Sequence, residues 1–394
     1  MTLLHWGWYQ HALILDTVEY HRYGAAMADG HVPYRDFSVE YPPGALPAFG
    51  VPAIGKPGFS FYNREFQVLM ALCGVGALWA MSVALQHLGA SAERTAAALC
   101  FFALAPLVLG SVILYRYDLW PAALTVAGLA AVLARRERLG FAAIGLGVAA
   151  KAFPAVVLPP AFIYVWRTRG RREALLCLGA AVVVAALVVA PFLALAPHGV
   201  WDSIERQTTR PLQIESLGSA LLLAAHHTWG LALTMVSSRG SQNISGWFAS
   251  SVGVVQSLVQ FGVLIGIWFA FARRDRSREE LVRYAAAAVV AFVALGKVLS
   301  PQFLIWLIPL VPLVRRWRVA ILYAVALVLT QAWFPKHYWS YALHFGEAVT
   351  WLVLLRDLVL VALLVALLRP ERSEAPEPEP VANRRTLTTP QLTR

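Results

Sequence analysis

The chain has 394 residues, 59% apolar and 14% charged, with a formal net charge of +11 and a mean hydropathy of +0.60. That composition excludes an ordinary water-soluble enzyme and makes a lipid bilayer the expected solvent. The positive charge lies in short clusters between apolar runs, which is an orientation signal for a membrane protein, so no nucleic-acid partner is expected. The cysteines Cys73, Cys100 and Cys177 sit inside apolar runs and read as small core hydrophobes.

Residues 3–15, LLHWGWYQHALIL, form an apolar stretch shorter than the ~20 residues a span needs. It has neither the basic start nor the small-residue cleavage site of a signal peptide. It predicts a short first span, or a start that falls within one. Asp16 stands where this stretch ends. A carboxylate at a membrane edge is a candidate general base, or else a plain loop acid.

The segment 16–64 then carries Asp16, Glu19, Asp29, Asp36 and Glu40 together with Arg22, Arg35, Lys56 and Arg64. Within it, YRDFSVEYPPG (34–44) places Arg35, Asp36 and Glu40 before two prolines that forbid a helix through them. Asp36 and Glu40 would share a face if helical. The alternative is a structural turn in which Arg35 pairs with Glu40.

Apolar runs follow near 65–88, 95–113, 119–134, 139–150, 154–166, 173–196, 247–272, 281–296, 301–314, 319–334 and 347–368. In lipid they must be helices, since open-ended structures can satisfy their backbone only that way. The clusters RRER (135–138), RTRGRR (167–172), RRDRSRE (273–279) and RRWR (315–318) are expected to be cytoplasmic. The segments 16–64, 114–118, 197–246 and 335–346 then face the other side. The fold class is an all-α polytopic bundle of about 11–12 spans.

Two hairpins are short. Between RRER and RTRGRR the chain must turn back at Lys151, with arms of 11–13 residues, about 17–20 Å long at the helical rise. The hydrocarbon core is about 30 Å thick. Lys151 is therefore expected to line a protected or wet cavity rather than snorkel to the far surface. The segment 281–314 repeats the pattern with Lys297 at its turn, followed by Ser300-Pro301-Gln302.

Polar residues concentrate in two further places. YRYD (115–118) sets Arg116 and Asp118 at the end of a span, where a mutual salt bridge is one reading. WDSIERQTTRPLQIESLGS (201–219) carries Arg206 and Arg210 at a helical i, i+4 spacing, with Gln213 and Glu215 beyond Pro211. Paired arginines suit a phosphate; the other reading is an amphipathic surface helix. His337, beside Lys336 in FPKHYW, is a candidate substrate contact on this side, or else a structural or interfacial histidine. The histidines lack metal-ligand spacing, so no metal and no cofactor are expected. No phosphate-binding glycine loop is present, so any energy must come from the substrate itself.

The blocks DTVEY (16–20), PYRDFSVEYPPG (33–44), RYDLWPA (116–122), KAFPAVVLPP (151–160), RQTTRPLQIES (206–216) and KVLSPQFLIWLIP (297–309) together resemble family 87 glycosyltransferases of the GT-C class. The resemblance implies a mannosyltransferase using a polyprenyl-phosphate sugar donor and a glycolipid or glycan acceptor, without a cofactor. It would lie in the plasma membrane as a multi-pass protein with its site facing the periplasm. Asp16 would be the catalytic base of an inverting transfer. Substrate binding would fall to Tyr20, Arg35, Asp36, Glu40, Arg116, Asp118, Lys151, Arg206, Arg210, Gln213, Glu215, Lys297, Gln302 and His337. Of these, Arg206, Arg210, Lys151 and Lys297 would hold the phosphate. The membrane domain would be 1–368, and 369–394, rich in Pro and charge, a disordered cytoplasmic tail.

Short hairpins and broken helices also occur in transporters, so a secondary transporter or flippase of a lipid-linked substrate is the alternative. The concentration of polar residues on one side argues against it, because a transporter needs gated access from both.

Overall fold

The computed structural model describes residues 14–369 apart from 111, 275 and 276. The opening apolar stretch up to residue 13 and the tail from residue 370 lie outside the described residues. The chain is a helical bundle whose helices follow the apolar runs closely. α1 (Thr17–Ala28) and the short α2 (Leu46–Gly50) lead into α3 (Phe59–His87) and α4 (Ala92–Leu109). α5 (Val112–Tyr115), α6 (Leu119–Leu133), α7 (Glu137–Ala150), α8 (Leu158–Arg169) and α9 (Arg171–Leu195) come next. α10 (Pro197–Thr208) and α11 (Leu217–Trp229) precede a hairpin of β1 (Thr234–Ser238) and β2 (Ser241–Ser245). α12 (Trp247–Ala272), α13 (Arg278–Ala294), α14 (Trp317–Trp333), α15 (Tyr338–His344) and α16 (Glu347–Leu368) complete the bundle.

Among the described residues, α3, α4, α9, α12 and α16 are long and apolar enough to cross a bilayer, and α14 with α15, bent by 76°, makes a sixth if the pair is one span. This is fewer than the 11–12 spans expected. The difference lies in α6, α7, α8 and α13, which are apolar but have 12–17 residues each, and in the 301–314 run, which is mostly 3-10 helix. They are packed inside or turn back, so an apolar run is not by itself a full crossing.

α13 is the centre of the bundle. Its residues from Leu281 to Ala291 are all buried, because an alanine-rich helix, apolar on every side, lets neighbours approach from all directions. α12 packs on one flank, α16 on another. α9 and α12 expose most of their span surface and form the lipid-facing rim. Close crossings need small residues. A Cβ on Gly145 of α7 would stand 2.3 Å from the Ala181 carbonyl oxygen of α9, so only glycine permits that contact.

Apart from Arg356 and Asp357, buried within α16, ion pairs gather at two ends. At one end Arg169 pairs with Glu137 at 2.9 Å and Arg138 with Glu173 at 2.7 Å. Arg94 pairs with Glu279 at 2.6 Å, and Arg283 and Arg316 donate to carbonyls at the end of α16. These contacts tie both feet of each short hairpin to the same end. The first hairpin turns at Lys151, which adopts extended backbone after α7. The second turns at Lys297, and its returning arm is 3-10 helix over Pro301–Leu307 and Val311–Leu313 because Pro301, Pro309 and Pro312 deny it a regular α-helical ladder. The opposite end collects α1, the 30–45 segment, α10, the β-hairpin and the turns at Arg116, Lys151, Gln213 and Lys297.

Candidate active site

The RYD turn between α5 and α6 organises this end. Its two charges point to different partners. Arg116, 6% exposed, pairs through Nη1 with Asp16 at the start of α1, and its Nη2 donates to the Ile14 carbonyl at 3.2 Å. Asp118, fully buried, accepts from the Lys151 ammonium at 2.6 Å. The mutual Arg116–Asp118 bridge is therefore not formed. Each charge is neutralised by a residue that only the folded chain brings near. Asp16 remains 32% exposed while its guanidinium partner is buried.

Lys151 sits in an aromatic box. Its Nζ lies 4.6 Å from the Tyr117 ring centroid, 5.2 Å from that of Trp306 and 5.5 Å from that of Phe303. Ring faces attract a cation, and the box fixes the ammonium without hydrating it. The Trp306 indole N–H donates to the same Asp118 oxygen that Lys151 holds. The other oxygen, Oδ2, is buried without a protein partner. Lys151 does not snorkel.

The YRDFSVEYPPG stretch is a turn, not a helix, so Asp36 and Glu40 do not share a helical face. Tyr34 takes φ +68° and its hydroxyl donates to the Tyr41 carbonyl at 2.6 Å. Arg35 pairs with Asp36 at 2.9 Å, not with Glu40. That guanidinium and the Val32 N–H pull the Asp36 carboxyl down to about 2, and both side chains point to solvent. Glu40 turns the other way. Its carboxylate pairs with Arg210, its backbone carbonyl accepts from Ser203 Oγ at 3.1 Å and from Gln207 Nε2 at 3.0 Å. α10 thus docks its C-terminal half on Glu40.

α10 ends at Thr208, so Arg206 and Arg210 are not on one helical face. Arg206 is exposed, whereas Arg210 lies beyond the helix and is half-buried against Glu40. Leu212–Ile214 then pair with the β-hairpin: Ile214 N–H donates to the Gln242 carbonyl and Ile244 N–H to that of Leu212, both at 3.0 Å. Gln213 N–H donates to the Lys297 carbonyl at 2.9 Å, joining this loop to the second hairpin turn. The Gln213 amide donates to Glu215 at 2.7 Å. Burial pushes the Glu215 carboxyl up to about 8, against the opposing pull of Arg356 and Arg116.

Lys297 is half-buried with its ammonium 3.4 Å from the Thr208 carbonyl, Gln302 is half-buried at the start of the returning arm, and His337 precedes α15. Tyr20 is fully buried among Tyr41, Phe49, Phe66 and Tyr117.

These groups form one electrostatic neighbourhood. Lys151 feels Asp118 as an attraction and Arg116 and Arg210 as repulsions, and Tyr117 lies within the fields of Asp118, Glu40 and Arg210. The fold thus brings together Asp16, Arg116, Asp118, Lys151, Glu40, Arg210, Gln213, Glu215 and the Lys297 backbone. It leaves Arg35, Asp36 and Arg206 on the exposed margin. Three contributors went unread in the sequence. Trp306 stands in a quoted block but reads there as one more apolar residue, and Ser203 and Gln207 carry no spacing signal. Among the described residues no cluster of His, Cys, Asp and Glu is arranged to hold a metal ion. A surface depression between Gly24, Met27, Ala28 and the Gly50–Lys56 bend contains none of the paired groups described above.

Such an arrangement can orient a carboxylate toward an incoming hydroxyl and surround a leaving anion with cations. No curated protein matches the chain. A family model described as glycosyltransferase family 87 matches residues 39–301, well over half the chain and including Glu40, Arg116, Asp118, Lys151, Arg210 and Lys297. A bundle of apolar helices with its polar groups gathered at one end, matched over that length, belongs to glycosyltransferase family 87 and is a membrane glycosyltransferase.

Proposed function

We propose that the protein transfers a hexose, mannose by family resemblance, from a polyprenyl-phosphate donor to a lipid or glycan acceptor at the periplasmic face, inverting the anomeric centre. Asp16 takes the proton from the acceptor hydroxyl. The freed oxygen attacks C1, the C1–O bond to the phosphate breaks, and the polyprenyl phosphate leaves with the electron pair. Lys151, Arg210 and Lys297 are the cations offered to that phosphate. The sorting of arginine clusters to the opposite end supports a periplasmic site by the positive-inside rule. Residues 1–368 act as one membrane domain in this reading.

The observation that carries it is the Asp16–Arg116 pair, a partly exposed carboxylate held by a buried guanidinium beside a cationic neighbourhood. The test is transfer from radiolabelled polyprenyl-phosphate mannose to a glycolipid extract by the purified protein in nanodiscs. Wild type should transfer label, and a folded Asp16→Asn variant should lose about 100-fold or more. Undiminished transfer by that variant removes Asp16 as the base. Transfer from another polyprenyl-phosphate sugar, but not from the mannose donor, corrects the sugar.

A further inference from the structure

We propose that Arg356, from the middle of α16, is a positioning residue for transfer, holding the 213–216 turn so that the groups around Arg116 and Lys297 keep their alignment. The proposal rests on the transferase reading above and concerns a residue beyond the segment matched by the family.

Arg356 is wholly buried, halfway along an apolar helix of 22 residues. An arginine at such a depth is costly and is retained where it has a partner. Its Nη2 donates to the Glu215 carbonyl at 2.8 Å, and its Nε lies 2.7 Å from Asp357 Oδ1. The Tyr341 hydroxyl donates to the adjacent Ile214 carbonyl at 2.7 Å. Two side chains from the C-terminal region therefore hold two successive carbonyls of one turn. The same turn donates Gln213 N–H to the Lys297 carbonyl and carries Glu215 within the field of Arg116, which holds Asp16. Glu215 Oε1, Gln213 Oε1 and Arg356 Nη1 are already buried without a protein partner, so losing the Arg356 bond would leave the buried Glu215 carbonyl short of its donor as well, a cost that favours a shift of the turn.

Among the described residues, Arg356 touches Glu215 only at its backbone carbonyl and makes no hydrogen bond or ion pair with Asp16, Lys151, Arg210 or Lys297, so its loss should misalign the site rather than remove a substrate contact. The experiment uses the full chain in nanodiscs with Arg356→Met, Arg356→Lys and Tyr341→Phe. For folded Arg356→Met, kcat should fall about tenfold or more with donor KM within about threefold, and Arg356→Lys should recover part of the loss. Tyr341→Phe leaves every charge in place and should lower kcat about threefold, less than additively with Arg356→Lys. Unchanged kcat in Arg356→Lys and Tyr341→Phe overturns the proposal, whether or not Arg356→Met folds. A rise in KM alone also overturns it, by making Arg356 a ligand. Hydrogen–deuterium exchange separates this claim from the transferase reading. Arg356→Lys should lose protection over 212–217 and 114–118, and a loss confined to α16 overturns the positioning role even if no sugar is transferred by wild type.

Discussion

Asp118 and Lys151, separated by 33 residues in sequence, meet at 2.6 Å where the first short hairpin turns, and the carboxylate is fully buried. The pair explains how a lysine can sit at the tip of two arms too short to cross the bilayer. The Asp118 carboxylate accepts from its ammonium, and three aromatic rings surround it. Removing one partner leaves a buried charge alone. Asp118→Asn or Lys151→Met should therefore cost about 3–5 kcal/mol, while the double variant Asp118→Leu/Lys151→Met should cost less than either alone. Thermal unfolding in detergent measures all three; equal additive losses would show that the pair is not coupled.

The Glu40–Arg210 contact fastens the 30–45 segment to the end of α10. Arg210→Ala strands a half-buried carboxylate and should destabilise by about 1.5–3 kcal/mol. Limited proteolysis should then cut near Thr208–Arg210 in the variant and spare wild type.

Gly199 is the other fastening. A Cβ there would lie 1.9 Å from the Tyr34 carbonyl oxygen, and neither backbone can yield without moving α10 or the turn. Gly199→Ala should cost about 1–3 kcal/mol. It should also weaken transfer, because α10 carries Ser203 and Gln207 onto Glu40. A variant with wild-type melting temperature would disprove the close approach.

Glu215 predicts a pH dependence. Its carboxyl is raised from an ordinary 4.5 to about 8 in the folded chain, chiefly by burial. The folded state binds the proton more tightly than the unfolded state, so the stability this group contributes is complete below about pH 4.5 and is lost as pH rises through about 8. The melting temperature of wild type should fall between these limits, and Glu215→Gln should flatten the fall. A steeper fall in the variant would reverse the sign assigned here.

The sequence by itself determined the bundle. Apolar runs in a bilayer must close their own backbone hydrogen bonds, so eleven runs became helical segments close to where the hydropathy put them. It also pointed to the two turns at Lys151 and Lys297, because an arginine cluster at each foot of a short arm puts both feet at the same end. Among the described residues five helices, or six with the bent pair, are long and apolar enough to cross a bilayer, and the shorter apolar helices carry a hydropathy that does not tell a crossing from a segment buried by its neighbours. The charge pairs were settled only by tertiary structure. Arg116 and Asp118 are two residues apart and could have paired with each other; whether they did depended on Asp16 and Lys151 arriving from other elements. Arg356 stands as a charge in the middle of an apolar run, yet the carbonyl it donates to lies 141 residues away, at Glu215. Local pattern fixes what a segment becomes, since backbone hydrogen bonds are local. Which side chains share a site depends on close packing between distant segments, and the order of the letters carries no direct trace of it.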